Sequence, residues 1–235
     1  MDVTVGDVRQ ALAELGKLRF GEMNVEDAIR EIVHTTHSIF DVDGAGLMLA
    51  SADQHLRTVA ASDDRFGHLE ELQIRHHEGP CVEAFDTKQL VSAPDLASEQ
   101  RWPDFSVAAM DRNVRAVLAS PLPYNQHAVG VVAVLSERAR PWSPEGELAL
   151  LAFTDLAALL IASTMQGEEH SELSGQLQDA LTSRRLIEQA KGVLIGRHGI
   201  SARAAYEKLR AQARSERRKV TDVCADVVDQ AAAAR

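Results

Sequence analysis

The spacing of apolar residues changes twice along the chain, and this limits the folds open to it. Between residues 43 and 140 they stand in short runs separated by polar turns, such as 46–51 and 56–62, which is typical of strands. Before and after this stretch they recur every three or four residues, which is typical of amphipathic helices. About five strands with helices before, between and after them predict an α+β domain with a mixed antiparallel sheet.

The charge of the chain is divided unevenly. Its formal net charge is −10, from 25 Lys+Arg and 35 Asp+Glu. Residues 181–235 hold 12 of the basic and 6 of the acidic residues, a surplus of six positive charges, which leaves 13 and 29 for the rest. Contact with a polyanion is therefore expected only in the C-terminal part.

Cysteines, histidines and apolar runs exclude several classes of protein. Cys81 and Cys224 stand far apart, which gives neither a disulfide framework nor a paired-cysteine zinc site. His34 and His37 could share a metal or simply lie on a helix surface, and His76-His77-Glu78 offers a second weak metal pattern. With no signal peptide pattern and no apolar run of membrane-spanning length, a cytoplasmic protein is expected.

The basic C-terminal stretch consists of two helical patterns that meet at His198-Gly199. Each of the two predicted helices carries one apolar stripe that is expected to face a core. The stripes are Leu186, Ile187, Ala190, Val193 and Leu194, and then Ala205, Leu209 and Ala213. The glycine predicts a helix stop, Ser201 the N-cap of the second helix and Thr221 the cap of a third.

The opposite faces of these two helices are polar and mostly basic. Arg185, Gln189 and Gly192 align on the first helix, and Tyr206, Arg210 and Arg214 align with Arg203 on the second. A tyrosine set among arginines could stack on a base while the arginines hold phosphate. The alternatives are a half-buried core tyrosine and a solvated basic face.

The central stretch resembles a GAF domain. The similarity rests on Glu78-Gly-Pro-Cys-x-Glu-Ala, on Trp102-Pro103 and on the final strand Val129-Gly-Val-Val-Ala-Val. GAF domains are sensors, so the resemblance implies a small-molecule pocket beside the sheet, with a ligand that the sequence does not identify; no cofactor is evident. Cys81 is either a reactive thiol or a buried structural cysteine. Methionine sulfoxide reduction, known for some GAF domains, needs cooperating cysteines, so the chain is not expected to be an enzyme.

A connector follows the sheet residues. Ser143 and Pro144 predict a helix start. Positions 156, 159, 163, 166, 170, 173, 177 and 180 form a heptad-like seam. This segment is either a helix packed on the sheet with a loose linker, or a coiled-coil-like helix that pairs two copies. We favour the pairing helix, because polar residues in such a seam can set its register.

The C-terminal stretch resembles the ANTAR domain, a three-helix RNA-binding module of bacterial regulators. The similarity rests on Ile187-Glu-Gln-Ala-Lys-Gly-Val-Leu, on Ala205-Tyr-x-x-Leu-Arg and on Val220-x-Asp-Val. Ile195 stands where the family usually carries Met. By resemblance, the RNA face comprises Gln189, Ala190, Lys191, Gly192, Arg197, Tyr206 and Arg210, to which the basic faces above add Arg185 and Arg214. Gly192 in a helix implies close approach either by RNA or by a neighbouring helix.

Together these features predict three segments. Residues 1–165 form a GAF-like sensor domain with N-terminal helices, 166–182 a connector helix, and 183–235 an ANTAR domain. The resemblance implies a homodimeric transcription antitermination regulator that binds paired RNA hairpins in nascent transcripts. The alternative is a DNA-binding regulator with a GAF small-molecule sensor, although the basic face spreads over two helices instead of one recognition helix.

Overall fold

A computed structural model gives the fold of the chain. It describes residues 23–51, 55–62, 65–124, 127–165 and 172–233, together with Gly6, Arg9 and Ala13. By contacts between Cα atoms, the chain divides into two compact units. We call residues 1–49 with 56–174 the sheet unit, and residues 175–235 with 50–55 the helical unit.

The sheet unit contains five strands and five helices within its described residues. In chain order they are α1 (Val25–Phe40), β1 (Gly44–Ala50), β2 (Leu56–Ala61), α2 (Arg65–His76), α3 (Pro80–Thr87), β3 (Val91–Ala93), α4 (Pro103–Met110), β4 (Ala116–Tyr124), β5 (His127–Ser136) and α5 (Pro144–Met165). The predicted α+β class is confirmed.

The strands form one sheet in the order β2-β1-β5-β4-β3. The pairs β1–β5, β5–β4 and β4–β3 are antiparallel. All seven residues of β1 are buried. Since successive residues of a strand point to opposite faces, both faces of the sheet must be covered. Helices α1 and α5 pack against each other and against strands, and α2 and α3 also pack on strands.

Local chemistry sets several helix ends in this unit. The Asn24 side chain accepts a hydrogen bond from the backbone N–H of Asp27 at 2.7 Å and starts α1. Ser143 does the same for Gly146 at 3.1 Å, with Pro144 at the first position of α5, as predicted. Residues 77–79 separate α2 from α3. Gly79 has a φ of 130°, a backbone conformation that favours glycine.

The helical unit contains three helices: α6 (Glu172–His198, which starts three residues before the unit boundary), α7 (Ala202–Glu216) and α8 (Val220–Ala233). Helix α6 is continuous from the predicted connector into the first basic helix, as the lack of a breaker indicated. It ends at His198, where Gly199 has a φ of 64° and donates its N–H to the Ile195 carbonyl at 2.8 Å.

Two predicted caps in this unit have different outcomes. The Ser201 side chain accepts from the N–H of Ala204 at 3.2 Å, so Ser201 caps α7 as predicted. Thr221 does not cap the third helix, because α8 already begins at Val220 and Lys219 supplies the first backbone acceptor. The predicted seam positions 166 and 170 lie outside the described residues, and side chains 163, 173, 177 and 180 are likewise not described.

Among the described glycines of the sheet, Gly130 on β5 leaves the least room for a Cβ. It pairs with Leu49, and a Cβ at this position would overlap the backbone carbonyl oxygen of Met48. We expect Gly130→Ala to lower the free energy of unfolding of the sheet unit by about 1–3 kcal/mol, as overpacking does. Urea unfolding followed by tryptophan fluorescence measures this unit alone, because Trp102 and Trp142 are the two tryptophans of the chain.

The matched control is Gly146→Ala, in the first turn of α5. Its added Cβ would lie 3.4 Å from the Ser143 hydroxyl oxygen, a contact that small side-chain movement relieves, and alanine favours the helix. Equal losses of stability in the two variants would contradict the predicted overlap at Gly130.

Candidate nucleic-acid interface

One buried cluster holds the three helices of the helical unit together. It contains side chains from α6, α7 and α8, with Leu186, Tyr206 and other partly buried residues around it. Its buried members are Ile187, Ala190, Leu194, Ala205, Leu209, Ala213, Val220, Val223 and Cys224. Both predicted apolar stripes contribute to it. The remaining faces of α6 and α7 are therefore the surfaces that this unit can offer to a ligand.

Three of the predicted RNA-contacting residues lie on the α6 face opposite the core. Arg185, Gln189 and Gly192 are all exposed. At about 100° per residue, they point away from the stripe of Ile187, Ala190 and Leu194. Gly196, four residues after Gly192, lies on the same face and is also exposed.

Ala190 does not belong to this surface. The ANTAR resemblance implied an RNA contact for it, but its side chain is fully buried in the cluster and offers no exposed surface in this structure. The physical reason is its position between Ile187 and Leu194 on the core stripe, with spacings of three and four residues. Its smallness serves the packing of α6 against the neighbouring helices.

Lys191 lies on the flank of α6 and is already ion-paired. Its Nζ donates to Glu188 Oε1 at 2.9 Å, and its side chain is only 16% exposed. The same carboxylate lies 3.5 Å from Nε of the buried Arg184, too far for a good hydrogen bond. Sequence reasoning missed Arg184, although the pattern Arg-x-x-x-Glu-x-x-Lys on one helix signals such a pairing.

Gly192 is not required by packing within the unit. A Cβ built on Gly192 meets no described atom within 4 Å, and the same holds for Gly196. Glycine in a helix interior costs about 1 kcal/mol relative to alanine. The described fold therefore gives neither glycine a structural reason, and the neighbouring-helix explanation of Gly192 loses its support within one copy of the chain.

Helix α7 carries an aromatic and basic face beside its core stripe. Tyr206 and Arg210 are partly buried, and the Arg210 guanidinium carbon lies 5.8 Å from the centroid of the Tyr206 ring. Arg214 is exposed on the same side, and so is Arg203, which pairs with Glu207 at 3.1 Å. The Tyr206 ring packs against the core and keeps an exposed portion, as the half-buried interpretation expected. Stacking on a base stays a prediction.

The predicted RNA contacts therefore fall into separate surfaces. One is the exposed α6 face, which we call the glycine face: Arg185, Gln189, Gly192 and Gly196. The other is a partly exposed face of α7, which we call the tyrosine face: Arg203, Tyr206, Arg210 and Arg214. Arg197 is exposed on a flank of α6, on the other side of the core stripe from Lys191.

Arg218 joins two helices of the unit. Nη1 of Arg218 donates to Asp226 Oδ2 at 2.7 Å and to Glu216 Oε2 at 3.1 Å, which ties the end of α7 to α8. The hydrogen bond with Asp226 raises the pKa of Arg218 above its ordinary value.

Cys224 lies in the core, and its burial raises the pKa of the thiol to about 12. The Cys224 side chain therefore has no exposed surface in this structure.

The sheet unit contains no metal cluster within the part of the chain that the structure describes. The Glu78 carboxylate instead accepts from the N–H of Phe105 at 2.9 Å, and His76 Nδ1 lies 3.7 Å from Asp104. Cys81 is buried, with its N–H bonded to Gln73 Oε1 at 2.8 Å, which fits a structural cysteine. Among the described helices, none combines the length and apolar character needed to cross a bilayer.

The sheet unit is an α+β domain with flanking helices, and a basic three-helix module follows it. The family model of the GAF domain matches residues 24–161, and that of the ANTAR domain matches residues 175–228. The chain belongs to the GAF family and carries an ANTAR domain after its GAF domain. This combination is that of an RNA-binding antitermination regulator with a sensor domain.

Solved structures share the fold of the sheet unit. The GAF domain of an Acinetobacter phosphoenolpyruvate-protein phosphotransferase is similar with a TM-score of 0.53 and 16% identity, covering 67% of this chain and 92% of that one. The corresponding domain from Coxiella burnetii gives 0.52 and 14%, covering 67% and 92%. A free methionine-R-sulfoxide reductase from Neisseria meningitidis, in complex with its substrate, gives 0.54 and 13%, covering 68% and 89%. These identities show the fold alone. Among the curated proteins, none matches this chain.

The open space around Gly192 and Gly196 predicts the effect of substitution. Either Gly→Ala change should stabilise α6 by about 1 kcal/mol, because alanine restricts the unfolded chain and meets no obstacle. Hydrogen exchange of the α6 amides in the full chain should slow about fivefold in both variants. Faster exchange in Gly192→Ala than in the parent would show that a neighbour occupies this space.

Proposed function

We propose that the chain is a cytoplasmic transcription antitermination regulator whose ANTAR domain binds paired hairpin loops in nascent transcripts under control of the GAF domain. The observation that supports this most is the tyrosine face, where Tyr206 and Arg210 lie within contact distance among exposed arginines. It lies on the part of an acidic chain that has a positive charge surplus. The domain boundaries at 165 and 183 belong to the same proposal.

The chemistry of this face suits an unpaired RNA base. The major groove of an A-form RNA helix is too narrow for side chains, so sequence-specific contacts usually use unstacked loops. The exposed part of the Tyr206 ring offers a stacking surface. Arg210, already beside the ring, is placed to hold the phosphate of the stacked nucleotide or the edge of a guanine.

Exposed arginines supply the phosphate contacts. Among the described residues, none forms an ion pair with Arg185, Arg197 or Arg214. Lys191, in contrast, would have to leave Glu188 before it could bind phosphate. We therefore assign the main cationic contacts to Arg197, Arg210 and Arg214, and a smaller one to Lys191. Arg185, Gln189 and Gly192 belong to the glycine face and would contact a separate part of the RNA.

The tyrosine face predicts a defined loss of RNA affinity. Tyr206→Ala should weaken binding of the full chain to a two-hairpin RNA by about 1–3 kcal/mol, while Tyr206→Phe keeps the ring and most of the affinity. Arg214→Ala should reduce the slope of log K against log[salt] by about 1. Filter-binding or fluorescence titrations over a range of salt concentrations measure both.

Lys208→Ala is the matched control, because Lys208 is an exposed cation on the opposite side of α7. It should leave affinity nearly unchanged. Equal losses for Lys208→Ala and Arg214→Ala would show that only overall charge matters. Preferential competition by duplex DNA would favour the alternative of a DNA-binding regulator.

Two hairpins per transcript fit two ANTAR domains, so the proposal includes a homodimer that uses the GAF helices and the connector. On α5, Leu148 is 67% exposed and Leu159 is 68% exposed. They lie on one helix face about three turns apart. Large exposed leucines on a common face are typical of interaction surfaces.

If this α5 face pairs two copies, Leu159→Glu should shift the full chain from dimer to monomer in sedimentation velocity, because it places a carboxylate in an apolar contact. Val107→Glu is the matched control, since Val107 is 59% exposed on a different helix, α4. A parent protein that sediments as a monomer at micromolar concentration would contradict the dimer. Affinity for two-hairpin RNA should fall toward that for one hairpin in Leu159→Glu.

A further inference from the structure

We propose that a groove between α1 and the end of β2 in the GAF domain binds a small organic oxyanion, a phosphate ester or a carboxylate. The groove has a cavity volume of about 330 Å³. It is lined by Arg30, Val33, His34, His37, Ala60, Ala61 and Ser62. All of these residues belong to the sheet unit, so the proposal stands independently of RNA binding.

One wall of the groove is a row of nitrogen-bearing side chains on α1. Arg30, His34 and His37 follow each other at spacings of four and three residues, which places them on one helix face. The buried face of α1 contains Ile29, Ile32 and Val33 and packs into the unit. Packing of this apolar face therefore orients α1 so that the three polar side chains lie along the groove.

The opposite wall is formed by the end of an edge strand. Strand β2 stands at one end of the sheet order, and its last residues before the groove are alanines. Their small side chains leave room for a ligand. Ser62 is held in place because its Oγ accepts the N–H of Ala45 at 2.8 Å and its own N–H bonds to the Ala45 carbonyl at 2.9 Å. The hydroxyl proton of Ser62 can then donate to a ligand.

The groove presents several hydrogen-bond donors. No described residue hydrogen-bonds to the imidazole of His34 or His37; the bond given for His34 uses its backbone carbonyl. Each imidazole has at least one N–H donor in either protonation state. Arg30 uses Nη2 for Asp27 at 3.0 Å and Nε for the Glu26 carbonyl at 3.4 Å, and no described residue bonds to its Nη1.

The hydrogen-bond donors that line the groove, together with the positive charge of Arg30, favour an anion over a metal ion as the ligand. A metal site would need a third protein ligand beside the two histidines, and no such cluster exists among the described residues. Guanidinium and imidazole N–H groups are instead common partners of phosphate and carboxylate oxygens. The cavity volume is at the lower end for small-molecule sites, which suits a ligand of metabolite size.

Asp27 is the intramolecular competitor for this anion. Its carboxylate pairs with Arg30, but both side chains are well exposed, 48% and 68%, so the pair is weak and can exchange. A bound oxyanion would draw the guanidinium from Asp27 toward the groove. Neutralising Asp27 should therefore strengthen ligand binding, whereas neutralising Arg30 should weaken it.

The test is a titration of the full chain with inorganic phosphate, and separately with succinate, without RNA and at constant ionic strength. Imidazole NMR signals of His34 and His37, assigned by His→Gln variants, should shift with a common saturating curve for at least one probe. Those of His68 and His76 should stay in place. Arg30→Gln should weaken the apparent Kd at least tenfold, and Asp27→Asn should tighten it roughly threefold.

Arg75→Gln is the matched control, because Arg75 is 64% exposed and pairs with Glu71 four residues away. It should leave the Kd unchanged. Non-saturating shifts, equal shifts at all histidines, or an unchanged Kd in Arg30→Gln would overturn the proposed site. Failure here leaves the RNA affinity of the chain unaffected, so it is distinguishable from failure of the antitermination proposal.

Discussion

The packing of three short helices on one apolar cluster determines what the ANTAR domain can offer to RNA. Because Ile187, Ala190 and Leu194 are buried in this core, the side chains on the other side of α6 face away from it. The same holds for α7, where Ala205, Leu209 and Ala213 are buried. Burial of these two apolar stripes therefore determines which residues form the tyrosine face and the glycine face. A change in the core would redirect both surfaces together.

The GAF domain shows the same dependence on burial. Its inner strand β1 is buried throughout, so both faces of the sheet are covered at this strand. Sites for small molecules must then lie between the sheet and a helix, or beside an edge strand. The groove at the end of β2 is one such place. It owes its donors to the polar face of α1 and its room to the alanines of the edge strand.

Much of this architecture was predictable because it depends on local signals. The stop at His198-Gly199, the cap at Ser201 and the start at Ser143-Pro144 each rest on a few neighbouring residues, and all were confirmed. Thr221 failed as a cap because α8 already begins at Val220, and Lys219 supplies the first backbone acceptor.

The site was less predictable, because contacts across a helix decide it. Ala190 fitted both the apolar stripe and the family motif, and only the packing decided between them. The pairing of Lys191 with Glu188, and the open space at Gly192, likewise depend on neighbours that periodicity does not weigh. The α1 groove needed the fold itself, because β2 follows α1 in sequence and meets His34 and His37 only in three dimensions.

Ultraviolet cross-linking of the full chain to a two-hairpin RNA, followed by mass spectrometry of the cross-linked peptides, tests the central claim most directly. Loop nucleotides are expected to cross-link to Tyr206 and its neighbours on the tyrosine face. Cross-links from loop nucleotides to the opposite side of α7, around Lys208 and Ser215, with none at Tyr206, would contradict it.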